Sequence, residues 1–194
     1  MEKEYSVTHP PLVLVPLAQG CEELEAVTIT DLLTRAGIQV ITAGLDDKVV
    51  VASRGMKLVP DKLLDDVLNE EFDMIVLPGG LPGADHLNND PRIQVLVKKM
   101  AANNKYTAAI CAAPRVLATA GILDGKNATS FPGALDKFPV NNLIKNELDV
   151  VVDGKVVTSK GPGTAMDFTL TLIELLLGKA KRIEVEKPLQ RPKS

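Results

Sequence analysis

A cysteine at the end of an apolar run, three glutamates around one turn and a pair of adjacent glycines carry the chemistry this chain can do. Cys111 closes the short run Thr107–Ile110 and precedes Ala112-Ala113-Pro114, with Pro114 marking the start of a helix. A thiol at a strand-to-helix turn occupies the place of a nucleophile elbow, where small neighbours let a sharp bend pack. The partial positive charge of a following helix start favours the thiolate, so the expected direction of its pKa is down. Such a sulfur reacts with small electrophiles or oxidants. Cys21, in Gly20-Cys21-Glu22, reads as a small loop residue.

A sulfur nucleophile needs proton chemistry beside it, and histidine usually supplies it. The chain has only His9 and His86. His9 precedes the first strand and reads as solvated, and His86 reads as a surface residue in a loop. That scarcity argues against a Cys-His hydrolase and hands the proton to a carboxylate, with Glu22, Glu23 or Glu25 as candidates at the opening of the first helix. Backbone N–H groups at Gly79-Gly80 and Ala112 would form an anion pocket beside the sulfur. A glycine at 79 or 80 permits a close approach that a side chain would block.

Alternating strands and helices position these groups. Leu12–Leu17 reads as a buried strand, followed by an acidic-start helix to about Ala36, capped by Gly37. Ile38–Ala43 is the next strand, which completes a β-α-β unit. Asp73–Leu77 is a strand ending at Pro78-Gly79-Gly80. Asp90 caps a helix whose Ile93, Leu96, Val97, Met100 and Ala101 share one face. Asp149–Val152 and Lys155–Thr158, joined by Asp153-Gly154, form a hairpin, and a largely apolar helix spans about Thr164 to Leu177. The expected fold is a single α/β domain over residues 1–194. It is a three-layer α/β/α sandwich around a mostly parallel sheet with a C-terminal β-hairpin, and its ends, 1–10 and 188–194, are flexible. Functional turns in such folds gather at the carboxyl ends of the strands.

Bulk properties narrow the field. With 194 residues, 45% hydrophobic content and a net charge of −3, the chain has material for one core and no clustered basic surface for nucleic acid. The basic stretch Lys179–Lys193 is interrupted by acids and prolines and reads as a solvated tail. No apolar run approaches the roughly 18 residues of a membrane span. Two cysteines and a polar start point to a reducing compartment, the cytoplasm.

Gly20-Cys21-Glu22-Glu23-Leu24-Glu25, Leu77-Pro78-Gly79-Gly80, Ala108–Pro114 and Ser159-Lys160-Gly161-Pro162-Gly163-Thr164 resemble the ThiJ/PfpI superfamily. Within it they are most similar to the YajL-like branch, related to class I glutamine amidotransferase domains. The resemblance implies a flavodoxin-like sandwich, a homodimer and a reactive cysteine at Cys111. It implies a protonated glutamate at Glu25 that hydrogen-bonds the sulfur, and an anion pocket from Gly79, Gly80 and Ala112. Arg54 matches an arginine near the site at the dimer interface, and Gly161, Pro162 and Gly163 match a segment beside the cysteine. Some members carry a histidine in the segment matching Thr129–Pro132, where this chain has Phe131. The superfamily's peptidases place a histidine directly after the nucleophile, whereas Ala112 follows Cys111 here, which argues against peptidase activity.

Two functions follow from the resemblance. One is a glyoxalase III or deglycase acting on small aldehydes or dicarbonyls such as methylglyoxal, with no metal or organic cofactor. The other is an oxidative-stress sensor or chaperone in which Cys111 climbs to sulfenic and sulfinic acid. A nucleotide-binding module fits poorly, because Gln19–Glu23 is acidic and lacks a glycine-rich phosphate loop.

Overall fold

The computed structural model describes residues 9–191. In chain order the elements are β1 (Leu12–Leu17), α1 (Glu23–Arg35), β2 (Gln39–Gly44), β3 (Val50–Val51), β4 (Lys57–Leu58), β5 (Lys62–Leu63) and α2 (Leu64–Val67). Then come β6 (Met74–Leu77), α3 (Gly83–Asn89), α4 (Pro91–Ala102), β7 (Tyr106–Ile110), α5 (Pro114–Thr119), β8 (Asn127–Ala128) and β9 (Ile144–Lys145). The chain closes with β10 (Val150–Asp153), β11 (Val156–Ser159), α6 (Ala165–Leu177) and α7 (Lys179–Glu186). Seven strands form one sheet in the order β10-β11-β7-β6-β1-β2-β5. All neighbours are parallel except the β10–β11 hairpin.

Side-chain alternation along the strands explains the three layers. Val13, Val15 and Leu17 point into a core shared with Ile29 and Leu33 of α1 and Phe168 and Leu172 of α6. Leu14 faces the opposite core with Leu96 and Val97 of α4 and Val116 of α5. A strand buried on both faces reads as a continuous apolar run, as Leu12–Leu17 does. Each fully buried Leu, Ile or Phe contributes about 1.5–3 kcal/mol relative to exposure.

The element ends follow local chemistry. α1 stops where Gly37 adopts φ +80°, and the Asp90 carboxylate at the start of α4 accepts from the Arg92 N–H at 2.8 Å. One expectation is overturned. The stretch from Lys179, read as a solvated tail, folds through Arg191. Val185 of α7 is buried and Leu189 packs on the core. Arg182 pairs with Glu174 at 2.8 Å, and Arg191 pairs with Asp167 at 2.8 Å. The two residues that pack inward, Val185 and Leu189, lie four apart among charged neighbours, while Ile183 stays exposed. Residues 1–8 and 192–194, the outer parts of the ends expected to be flexible, lie outside the described residues. No helix among the described residues is long and apolar enough to cross a membrane.

Strand order and register place the site. β1 turns to β2 on one side and β6 pairs on its other side, so the crevice between their carboxyl ends is the topological switch point. The β6–β7 register aligns Leu77 with Ala109. Two residues further along both chains, Gly79 therefore meets Cys111.

Candidate active site

Cys111 is the first residue past β7 and carries φ +62°. Left-handed backbone is costly for a residue with a Cβ and persists only where its surroundings enforce it. Here two hydrogen bonds do so: the Cys111 N–H donates to the Ser159 carbonyl, and the Cys111 carbonyl accepts from the Phe131 N–H, both at 2.9 Å. The bend leaves Cys111 9% exposed, lining a cavity. That cavity is about 550 Å³ and is lined by Glu22, Arg54, Gly80, Ala112, Arg115, Phe131 and Pro162 among others. It has room for a small organic molecule.

The three glutamates of the α1 turn take three different roles. Glu22 lines the cavity, and its carboxylate accepts from the Ser53 hydroxyl at 2.9 Å. Glu23 accepts from the Arg54 N–H at 2.9 Å and the Ser53 hydroxyl at 3.0 Å, tying the β3–β4 loop to α1. Burial works to raise the Glu23 pKa, yet the N–H groups of Glu23, Arg54 and Met56 and the Ser53 hydroxyl outweigh it and hold the carboxylate below its usual range. Glu25 alone reaches the thiol. It is fully buried, and its Oε2 accepts from the Gly79 N–H at 2.7 Å. Its Oε1 has no hydrogen-bond partner among the described residues.

Gly79 explains its own identity. A Cβ added there would lie 2.6 Å from the Cys111 Cβ and 2.9 Å from the Glu25 Oε2. The glycine is the gap through which thiol and carboxyl meet. Gly80, at φ +87°, would carry a Cβ 2.4 Å from the Glu22 nitrogen, so that position also accepts only glycine.

The electrostatics reverse one expectation. Burial pushes the Cys111 thiol up to about 12, and the Glu25 charge adds to this, while the N–H groups of Gly80 and Ala112 pull it down. The expected downward pull of a helix end is weak because α5 is only six residues long and starts three positions later at Pro114. Burial likewise pushes Glu25 up to about 7, opposed by the Gly79 N–H and the thiol. Two buried acids in contact cannot both ionise near neutrality, so the pair keeps one proton and titrates as a unit. The upward push on the sulfur comes partly from a charged Glu25. A protonated Glu25 removes that repulsion, leaving the two amides to favour the thiolate against burial.

The remaining expected residues divide. Arg54 lines the cavity mouth. A Cβ on Gly161 would lie 3.9 Å from the Cys111 Sγ, and Pro162 borders the cavity, whereas Gly163 is exposed and does not line it. Cys21 is buried in the hydrophobic core, and its thiol is pushed up to about 12 chiefly by burial. The His86 Nδ1 lies 2.9 Å from the Gln19 carbonyl, outside the cavity lining. Among the described residues, no group of three or more His, Cys, Asp or Glu side chains could hold a metal ion.

Arg115 was not anticipated. Its side chain is 13% exposed and pairs with Asp85 of α3. Its Nε donates to the Ala112 carbonyl at 3.0 Å, and its guanidinium lies 5.3 Å from the centre of the Phe138 ring. It therefore braces the elbow from within the cavity wall. A basic residue directly after Pro114 was the available signal.

A family model described as the DJ-1/PfpI family matches residues 12–175. The chain belongs to the DJ-1/PfpI family. It is 45% identical over 179 residues to Protein DJ-1 homolog B of Arabidopsis thaliana, covering 91% of this chain and 41% of that protein. The chain thus spans less than half the length of that relative. It is 38% identical over 178 residues to the glutathione-independent glyoxalase DJR-1.2 of Caenorhabditis elegans, covering 92% and 94% of the two chains. A solved structure of oxidized Toxoplasma gondii DJ-1 superposes with a TM-score of 0.88 at 40% identity, covering 94% of this chain and all of that one. The DJ-1 fold, a mostly parallel sheet between helices, is the fold found here.

Proposed function

We propose that this protein is a cofactor-independent glyoxalase that converts small α-oxoaldehydes such as methylglyoxal to hydroxy acids through Cys111 and Glu25. The observation that carries this reading is a thiol on a strained elbow set across Gly79 from a fully buried carboxyl, whose pKa burial raises to about 7. A glyoxalase among the relatives supports the same chemistry.

In the reactive form the sulfur is a thiolate and Glu25 holds the proton. The thiolate attacks the aldehyde carbon, and the resulting alkoxide, facing the Gly80 and Ala112 amides, takes the Glu25 proton to give a hemithioacetal. The Glu25 carboxylate then removes the hydrogen from that carbon as a proton, giving an enediolate, and returns it to the neighbouring carbon, while the hydroxyl proton of the first carbon passes to the oxygen of the second. The adduct is now a thioester of the hydroxy acid. Water, deprotonated by Glu25, hydrolyses the thioester and releases the acid, the thiolate and a reprotonated Glu25. The sum is one aldehyde plus one water giving one hydroxy acid, with nothing oxidised or reduced overall. The same attack on aldehyde adducts of proteins would give deglycase activity.

The assay is lactate formation from methylglyoxal by the purified protein. Cys111→Ser and Glu25→Gln should each lose at least 100-fold in kcat/KM, the scale of a lost nucleophile or general base. Thiolate absorbance at neutral pH should rise in Glu25→Gln, because glutamine cannot carry the charge that pushes the thiol up. Wild-type activity retained by both variants removes the mechanism.

A second reading, a peroxide-responsive sensor or chaperone, draws on the same sulfur. It is favoured by the contrast between Cys111 in a cavity and Cys21 at 0% exposure. Graded peroxide followed by mass spectrometry should add two oxygens to Cys111 before Cys21 changes, and equal oxidation of the two would refute it. We also propose a homodimer that uses exposed Leu24, Val27, Val51 and Met56 beside the Arg54 loop. Sedimentation should give twice the monomer mass, falling in Val51→Glu.

A further inference from the structure

A second cavity opens at the other end of β7, under the amino ends of the strands. It has a volume of about 670 Å³ and is bounded by the last turn of α4, the turn after α5 and the β10–β11 hairpin. Its charged lining residues are Lys98, Lys105, Lys126 and Lys155, and no acid lines it. In a chain with 25 acids against 22 Lys and Arg, that is a local reversal of sign. Lys105 is paired with Asp73 at 2.9 Å and Lys126 with Asp153 at 3.3 Å, just beyond the wall. Lys155 lies 3.8 Å from the centre of the Tyr106 ring and Lys98 has no ion pair among the described residues. Two of the four ammonium groups therefore lack a carboxylate.

The second observation is Thr107. It lines this cavity and is 1% exposed, and its Oγ1 has no hydrogen-bond partner among the described residues. Its neighbours on β7 fix its direction: Ala108 and Ile110 pack with α1 and α6, while Ala109 packs with α4 and α5. Thr107, two residues before Ala109, therefore faces the α4–α5 layer where the cavity lies. A buried hydroxyl without a partner costs about 1–3 kcal/mol, a cost that an oxygen-bearing ligand would remove. The lysines also have a purely structural use, because α4 and α5 both end here and their last carbonyls attract cations. That use explains the lysines but leaves the hydroxyl unmatched.

We propose that this cavity binds a small phosphate monoester. A doubly charged head matches the two lysines without carboxylate partners, with the Thr107 hydroxyl donating to one phosphate oxygen. The wall of Ala101, Ala120, Ile122 and Val156 accepts a compact carbon body. The site lies four residues of strand from Cys111, roughly 13 Å, and does not depend on the function proposed for that cysteine.

The test is calorimetric titration of the full chain with phenyl phosphate and, separately, with inorganic phosphate, at constant ionic strength. Phenyl phosphate should bind saturably with half-saturation below about 1 mM, and more tightly than inorganic phosphate. Binding should weaken at least ten-fold in the Lys98→Ala/Lys155→Ala double variant and several-fold in Thr107→Val, an isosteric change. Cys111→Ser should leave it unchanged. The proposal fails if no saturable binding occurs, if inorganic phosphate binds equally well, or if the double variant or Thr107→Val binds as the wild type does. It fails equally if Cys111→Ser abolishes binding, since the anion would then sit in the active-site cavity.

Discussion

Replacing Glu25 by glutamine should change how the stability of the fold depends on pH. In the native state burial raises the Glu25 carboxyl from 4.5 to about 7, whereas the unfolded chain exposes it to water. An acid with a raised native pKa holds its proton more tightly folded than unfolded. Its contribution is therefore neutral below pH 4.5, becomes progressively destabilising between 4.5 and 7, and stays constant above that. The interval from 4.5 to about 7, at about 1.4 kcal/mol per pH unit, corresponds to roughly 3 kcal/mol. The side chain is fully buried, so solvent screening does not shrink this figure. Glutamine keeps an oxygen for the Gly79 N–H but cannot ionise. Carboxylates held low in the fold, such as Asp73, Asp90 and Asp153, titrate alike in both proteins and cancel. Urea denaturation of wild type and Glu25→Gln at pH 5 and pH 8 should show the variant gaining on the wild type by about 2.5 kcal/mol between the two, since part of the effect is already present at pH 5. Parallel curves, with a difference constant to within about 0.5 kcal/mol, would refute the claim that this carboxyl is buried with its proton.

Gly79→Ala should destabilise the fold by about 1–3 kcal/mol through overpacking and cut Cys111 alkylation by iodoacetamide, because the new Cβ falls 2.6 Å from the Cys111 Cβ. Arg115→Met should slow methylglyoxal turnover about ten-fold with KM little changed, since it frees the Ala112 carbonyl and leaves Asp85 unpaired. A Tm shift without a change in kcat would contradict that. Phe168→Ala, in the core between α6 and the sheet, should cost about 3–5 kcal/mol in denaturant melts.

The fold was legible because its signals are local. Leu12–Leu17, the hairpin around Gly154 and the periodic face of α4 each declare their element within a dozen residues, and alternation of strand and helix implies a parallel sheet. The turn itself falls at Gly154-Lys155, one residue past the expected Asp153-Gly154, because Asp153 pairs with Val156. The shortest elements were not legible. β3, β4 and β5 are two residues each, too short for any periodicity, and α7 has three apolar positions among charges, of which only Val185 is buried.

At the site, residue types and order pointed to a cysteine elbow, a glycine pair and an acidic turn, and resemblance selected Glu25 from its neighbours. Tertiary structure decided what each does, because burial is a property of the packed chain. Glu22, Glu23 and Glu25 are the same amino acid within four positions, yet one lines the cavity, one anchors the Arg54 loop and one is sealed against Gly79. The direction of the thiol's pKa was decided in the same way: a motif reports which dipoles are nearby, but only the assembled core sets how much water remains to solvate a charge.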